Sequence, residues 1–94
     1  MAIDLSHLRV QIWTIDRLLP YIRNARTHTD EQVAQVAASI REFGWTNPLL
    51  VSADSVVIAG HARLAAARKL HMTEVPVIVL DHLTDAQRRA LVLG

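Results

Sequence analysis

The stretch Val57-Ile58-Ala59-Gly60-His61-Ala62-Arg63-Leu64-Ala65-Ala66-Ala67-Arg68 decides the fold. It reads as a buried β-strand that turns through a glycine into a helix whose first turn carries a histidine and an arginine. A helix start presents unpaired backbone N–H groups and the positive end of the macrodipole, so it attracts anions. An exposed arginine there costs the helix roughly 0.3–1 kcal/mol, a cost that a phosphate or carboxylate placed opposite would offset. The plainer reading is an ordinary strand-glycine-helix junction, with Arg63 reaching solvent along its aliphatic stem. Taken alone, the motif leaves both readings open.

Upstream, Leu49-Leu50-Val51 and Val56-Val57-Ile58-Ala59 form a hairpin across the turn-like Ala53-Asp54-Ser55, with Pro48 at a strand start that tolerates a missing N–H. Before the connector Trp45-Thr46-Asn47-Pro48, a helix is expected over 30–43. Thr29 to Gln32 has capping-box spacing, and Val33, Val36, Ala37, Ile40 and Phe43 make a buried stripe. Gly44 is expected as a left-handed C-terminal cap. Nearer the start, residues 8–15 alternate as a strand, Asp16 to Pro20 reads as a turn or single helical turn, and residues 21–28 form a donor-rich loop. Downstream come the alanine-rich helix from His61 to about Leu70, a strand over 74–80 covered on both faces, and a second capping box, Thr84 to Gln87, opening a last helix at Asp85.

The order strand, helix, strand, strand, helix, strand, helix defines an α/β (α+β) module, a small mixed β-sheet covered by helices. Its 94 residues, 51% hydrophobic, make one domain over 1–94 that buries roughly 60–65% of its unfolded surface. The abrupt end at Gly94 gives the expectation of a fragment of a longer protein, with a natural terminus as the alternative. A net charge of +1 supplies no global field toward nucleic acid or membrane, so anion binding must come from a local cluster. The absence of cysteine excludes disulfides, cysteine nucleophiles and thiolate metal sites. With no leader pattern and no apolar span, the chain reads as soluble and cytoplasmic, without a membrane partner.

Several motifs occur in a fixed order: Ser39-Ile40-Arg41-Glu42-Phe43-Gly44, Asn47-Pro48-Leu49-Leu50-Val51, Ile58-Ala59-Gly60-His61-Ala62-Arg63 and Val75-Pro76-Val77-Ile78. Together they resemble the ParB N-terminal domain family, within the ParB/sulfiredoxin superfamily, over about residues 12–93. The resemblance implies a small α/β domain that binds a nucleotide. In the chromosome-partitioning members a glycine-x-x-arginine box holds the phosphates of CTP, and the nucleotide switches a dimer between open and clamped forms on DNA. That box falls on Gly60, His61, Ala62 and Arg63, and the family's arginine loop falls on Arg23 to His28, with Arg26 and Thr27 facing the same pocket. The partitioning proteins have glutamate and arginine where this chain has His61 and Ala62, and their helix-turn-helix DNA reader has no counterpart here.

The wording of residues 23–28, 58–61 and 77–84 resembles the ParB-like domains at the front of phage and bacterial DNA methyltransferases. The resemblance therefore implies a CTP-type nucleotide-binding module, accessory to a DNA methyltransferase or to a partition or regulatory factor. The implied cofactor is a nucleoside triphosphate, CTP favoured, with Mg2+. The implied partners are that nucleotide, DNA reached through additional domains or partners, and a second copy in a homodimer. The superfamily also supplies an enzyme alternative. Free serine kinases carry a histidine in the box, which implies phosphotransfer or weak nucleotide hydrolysis. Sulfinic acid reduction is excluded, because it needs a cysteine in the box. Nuclease chemistry finds no clustered carboxylates for two metals.

Each residue also has an ordinary reading. Arg63 would make bidentate bonds to phosphate, each worth about 1.5–3 kcal/mol, or else a surface ion pair. His61 would donate to phosphate or carry a proton, or else simply cap the helix. Thr27 and His28 would add donors or only shape the loop. Arg68, Lys69, Arg88 and Arg89 read as a solvated face, and Trp13, Phe43 and Trp45 as core or partner-facing aromatics. The five histidines have no zinc spacing.

Overall fold

A computed structural model describes residue 5, residues 8–20 and residues 28–91. Five strands form one mixed sheet in the order β1-β5-β3-β4-β2: β1 (Val10–Thr14), β2 (Leu19–Pro20), β3 (Leu49–Val51), β4 (Val56–Ala59) and β5 (Glu74–Val79). Strand β5 runs antiparallel to β1 and parallel to β3, β3 and β4 form the hairpin, and β2 lies parallel to β4. The helices are α1 (Asp30–Phe43), α2 (His61–Lys69) and α3 (Asp85–Leu91). The mixed sheet and helices expected of the ParB/sulfiredoxin architecture are present.

The core lies where α2 crosses the sheet. Leu64 and Ala67 of α2 pack on Leu49, Val51, Val57, Val75 and Val77, with Trp13, Ile15 and Leu18 closing one end. Successive strand residues point to opposite faces, so Ile58 leaves this cluster and joins Leu80, Leu50, Ile78 and Leu83 on the other side of the sheet. Helix α1 packs chiefly on α2, not on the sheet. This is why its stripe Val33, Val36 and Ile40 is only half-buried while Ala37 is fully buried.

Three expectations are corrected, and a fourth, the turn before residue 20, is extended by a strand. Phe43, expected in the buried stripe, is 69% exposed: at the last residue of α1 the stripe no longer meets the core, although its spacing continues the buried face. Gly44 has the expected positive φ of 75°, but ψ of −172° takes it out of the left-handed helical region into one that is essentially glycine-only. Strand β5 is sealed on one face through Val75 and Val77 and only half-covered at Pro76 and Ile78. The segment before residue 20 is a single helical turn at Ile15–Arg17 followed by the short edge strand β2, in which the Leu19 N–H donates to the Ser55 carbonyl at 2.9 Å. Pro20, lacking an N–H, is tolerated at that edge.

Candidate functional site

Strand β4 delivers the chain to Gly60, which adopts φ 99°, ψ 26° and begins α2, its carbonyl accepting from the Leu64 N–H at 2.9 Å. Two physical demands select glycine. The positive φ disfavours any Cβ, and a Cβ placed there would lie 2.6 Å from Leu49 Cδ2, a fully buried side chain. Gly60 has no side chain with which to cap the helix it starts. Among the described residues, no side-chain cap bond closes the start of α2, where the helix presents the positive end of its dipole.

Arg63 folds back over this entry. Its Nη1 lies 3.6 Å from the point where a Gly60 Cβ would sit. With the Asn47 amide turned so that its nitrogen donates to the Thr46 carbonyl, the Asn47 oxygen accepts from Arg63 Nη2, each at 3.2 Å. Among the described residues Arg63 has no ion-pair partner; the carboxylates Asp54 and Asp85 pair with Arg88 instead. The guanidinium lines a cleft of about 410 Å³ with Asn47, Pro48, Leu50, Ala59 and Ile78. A cation anchored by a neutral amide beside the positive end of a helix is equipped to hold an anion. The apolar wall of Pro48, Leu50 and Ile78 suits a flat or aliphatic moiety attached to it.

His61 is placed differently. The residue is 7% exposed and its ring is hydrogen-bonded with the Val57 backbone, so it faces the protein interior. Burial and the nearby positive charge of His28 hold its pKa below the usual histidine value, the Val57 bond only partly opposing them. Ala62 is half-buried within the first turn and supplies only backbone. Arg26 and Thr27 lie outside the described residues, as does Arg23. His28, half-buried and close enough to bias His61, shows that the end of this upstream segment approaches the box.

Sequence reasoning missed Asn47, which orients Arg63, and Leu49, whose packing helps to impose glycine at position 60. The Asn47-Pro48-Leu49 run was the available signal, but it said nothing of the fold-back that joins it to the helix entry. Among the described residues no group of three or more His, Asp or Glu side chains gathers to hold a metal ion, and no helix is long and apolar enough to cross a membrane.

The chain matches the family profile described as ParB N-terminal domain over residues 2–94. It is 51% identical over 82 residues to the ParB-like nuclease domain-containing protein YnaK of Escherichia coli, covering 87% of this chain and 94% of that protein. Against the nucleoid occlusion protein of Lysinibacillus sphaericus it is 34% identical, covering 84% of this chain but only 28% of that longer protein. A solved structure of C-terminally truncated chromosome-partitioning protein ParB from Caulobacter crescentus, complexed with CTP-γ-S, superposes with a TM-score of 0.75 at 27% identity, over 89% of this chain and 48% of that one. Sulfiredoxin from Arabidopsis thaliana shares the fold, with a TM-score of 0.72 at 17% identity over 92% of this chain and 99% of that one.

Proposed function

The chain belongs to the ParB N-terminal domain family, and from that premise we propose that it is a nucleotide-binding module, with the phosphates seated at the start of α2 and CTP with Mg2+ as the favoured ligand. The observation that carries this reading is Arg63, unpaired with any carboxylate among the described residues and laid over the glycine that starts α2. Gly60 and the backbone of His61, Ala62 and Arg63 supply donors, the Arg63 guanidinium supplies the charge, and Arg26 and Thr27 add donors from the upstream loop. The half-covered wall at Pro48, Leu50 and Ile78 takes the nucleoside end. His61 holds the box in shape from behind, which favours binding over phosphotransfer by that side chain.

Support from outside the chain is the CTP-γ-S held by the Caulobacter relative. In this reading the module works in a cytoplasmic, DNA-associated setting, with DNA contacted through other domains or partners. Its host is a partition or regulatory factor, or a DNA methyltransferase carrying the domain at its front. Titration calorimetry with CTP, ATP and GTP in Mg2+ tests the proposal. Saturable binding is expected for at least one nucleotide. Loss of the charge-assisted bonds in Arg63→Ala, about 1.5–3 kcal/mol, weakens it roughly ten- to hundredfold, while Arg89→Ala, on the outer helix, leaves it unchanged. Heat signals indistinguishable from dilution for all three nucleotides would overturn it.

A further inference from the structure

The open end of the β3–β4 hairpin lies at the start of α2. Because β3 and β4 run antiparallel with Leu50 opposite Ala59, the residues that lead into β3 and those that leave β4 come side by side. Asn47 stands on the first side and Gly60 on the second, and the Arg63 guanidinium reaches from one to the other. Its Nη1 lies 3.6 Å from the Cβ point of Gly60 and its Nη2 lies 3.2 Å from the Asn47 amide oxygen. Pro48 disfavours helical backbone at Asn47, which narrows the directions that side chain can take.

An amide has a donor end and an acceptor end, and the Thr46 carbonyl decides which of them meets the arginine. That carbonyl pairs only with the amide nitrogen, at 3.2 Å, so the oxygen is turned to Arg63. A guanidinium is a rigid fork of donors with no acceptor, so a bond at Nη2 sets the plane of the whole group. The anchor is also electrically neutral. Aspartate has the same shape and binds a guanidinium more strongly, yet it would cancel the charge it holds. An anchor that only fastens Arg63 gains from a carboxylate, whereas an anchor that serves an anion seat has to be uncharged. Among the described residues no carboxylate pairs with Arg63, since Asp54 and Asp85 are held by Arg88.

We infer that Asn47 is a positioning residue of this site: its neutral amide orders the Arg63 guanidinium before the ligand arrives and leaves the positive charge for an incoming phosphate to neutralise. An arginine side chain gives up considerable rotamer freedom when it is fixed, and fixing it beforehand lowers what binding has to overcome. The identity of the anion rests on the nucleotide-binding reading; the ordering of Arg63 in the ligand-free chain does not.

Two measurements test the inference. In the ligand-free chain, NMR of the arginine Nε–H groups, with Arg63 identified by the signal lost in Arg63→Lys, should show its side chain more restrained than that of the exposed Arg89 and released in Asn47→Ala. Titration calorimetry with CTP in Mg2+, and separately with inorganic triphosphate, reads the effect on binding. Asn47→Ala should weaken both ligands about two- to tenfold, with no further loss in the Arg63→Ala background, because it acts through that side chain. Asn47→Asp should weaken them at least as much as Arg63→Ala does, while its ligand-free thermal midpoint does not fall, since an exposed ion pair replaces the hydrogen bond. A merely structural role would make affinity follow the midpoint and leave aspartate the milder change. Equal mobility of Arg63 in the parent chain and in Asn47→Ala, or Asn47→Asp binding as well as Asn47→Ala, would overturn the inference. Triphosphate bound with the expected pattern but no nucleotide bound would sink the nucleotide reading and support Asn47, whereas a chain that binds neither would overturn both.

Discussion

At the scale of single residues, two positions of the box act through opposite demands on space. Gly60 has to be small and left-handed, because β4 must hand the chain to α2 directly above Leu49. Gly60→Ala places a methyl group against a fully buried leucine and a strained φ on a non-glycine residue. The backbone strain alone is expected to cost about 1–3 kcal/mol, read as a lower urea midpoint, and the tilted helix entry should weaken nucleotide binding as well. His61, by contrast, is nearly fully buried, and its lowered pKa makes it a pH-dependent element of stability. The unfolded chain takes up a proton as pH falls through about 6.5, while the folded chain resists it, so the unfolded state binds more protons below that point. Stability contributed by neutral His61 is therefore complete at higher pH. It is lost on acidification through the ordinary histidine range and levels off below the folded-state pKa. Urea unfolding at about pH 8 and about pH 5 should show a smaller acid-side loss in His61→Gln than in the parent chain, and an equal loss in both would remove His61 as the cause.

At the scale of elements, what was readable in the sequence follows from how local each signal is. The box Thr29 to Gln32 is present with both of its reciprocal bonds at 3.1 Å, and α1 starts and stops as the spacing predicts. The second box, Thr84 to Gln87, behaves in the same way at α3. These motifs span four residues, so sequence alone carries them. Strand β2 was not legible, because two residues have no periodicity and pair with β4 only through tertiary placement. Phe43 misled for a related reason, since helical spacing reports which face a residue lies on but not whether anything packs against that turn.

The end of α2 was also under-read, because no glycine marks it. His71 adopts φ 58° and donates to the Arg68 carbonyl while Met72 donates to the Ala67 carbonyl, both at 3.0 Å. That is a Schellman ending with a histidine in the position that glycine prefers. His71→Gly is expected to raise stability by about 0.5–1 kcal/mol, since it relieves the left-handed strain at an exposed site. Thermal unfolding of the variant should show a higher midpoint, and a lower one would mean that the imidazole makes an overriding contribution.

At the scale of the whole molecule, the candidate site was half legible. The glycine-to-arginine spacing and the preceding strand pointed to an anion seat at α2, and the Arg63 guanidinium does lie over the glycine at that helix start. The wall that accompanies it comes from β3, β5 and the connector at Asn47, brought together only by sheet order, so no run of sequence could announce it. The same assembly makes ligand binding and global stability one measurement. Gly60, Leu49 and Ile78 belong to strands and helix entries that exist only in the folded chain, so a nucleotide held there binds the native state alone. At a concentration about a hundredfold above its Kd, such a ligand adds about 2.7 kcal/mol. For a domain of this size each kcal/mol moves the midpoint by about 4–8 °C, so the midpoint should rise by roughly ten degrees or more. Arg68→Ala, an exposed substitution on the far turn of α2, should keep this ligand-induced rise. Arg63→Ala should abolish most of it while leaving the ligand-free midpoint nearly unchanged, because Arg63 has no ion pair to lose among the described residues. A ligand-induced rise that survives Arg63→Ala at full size would place the phosphates somewhere other than the start of α2.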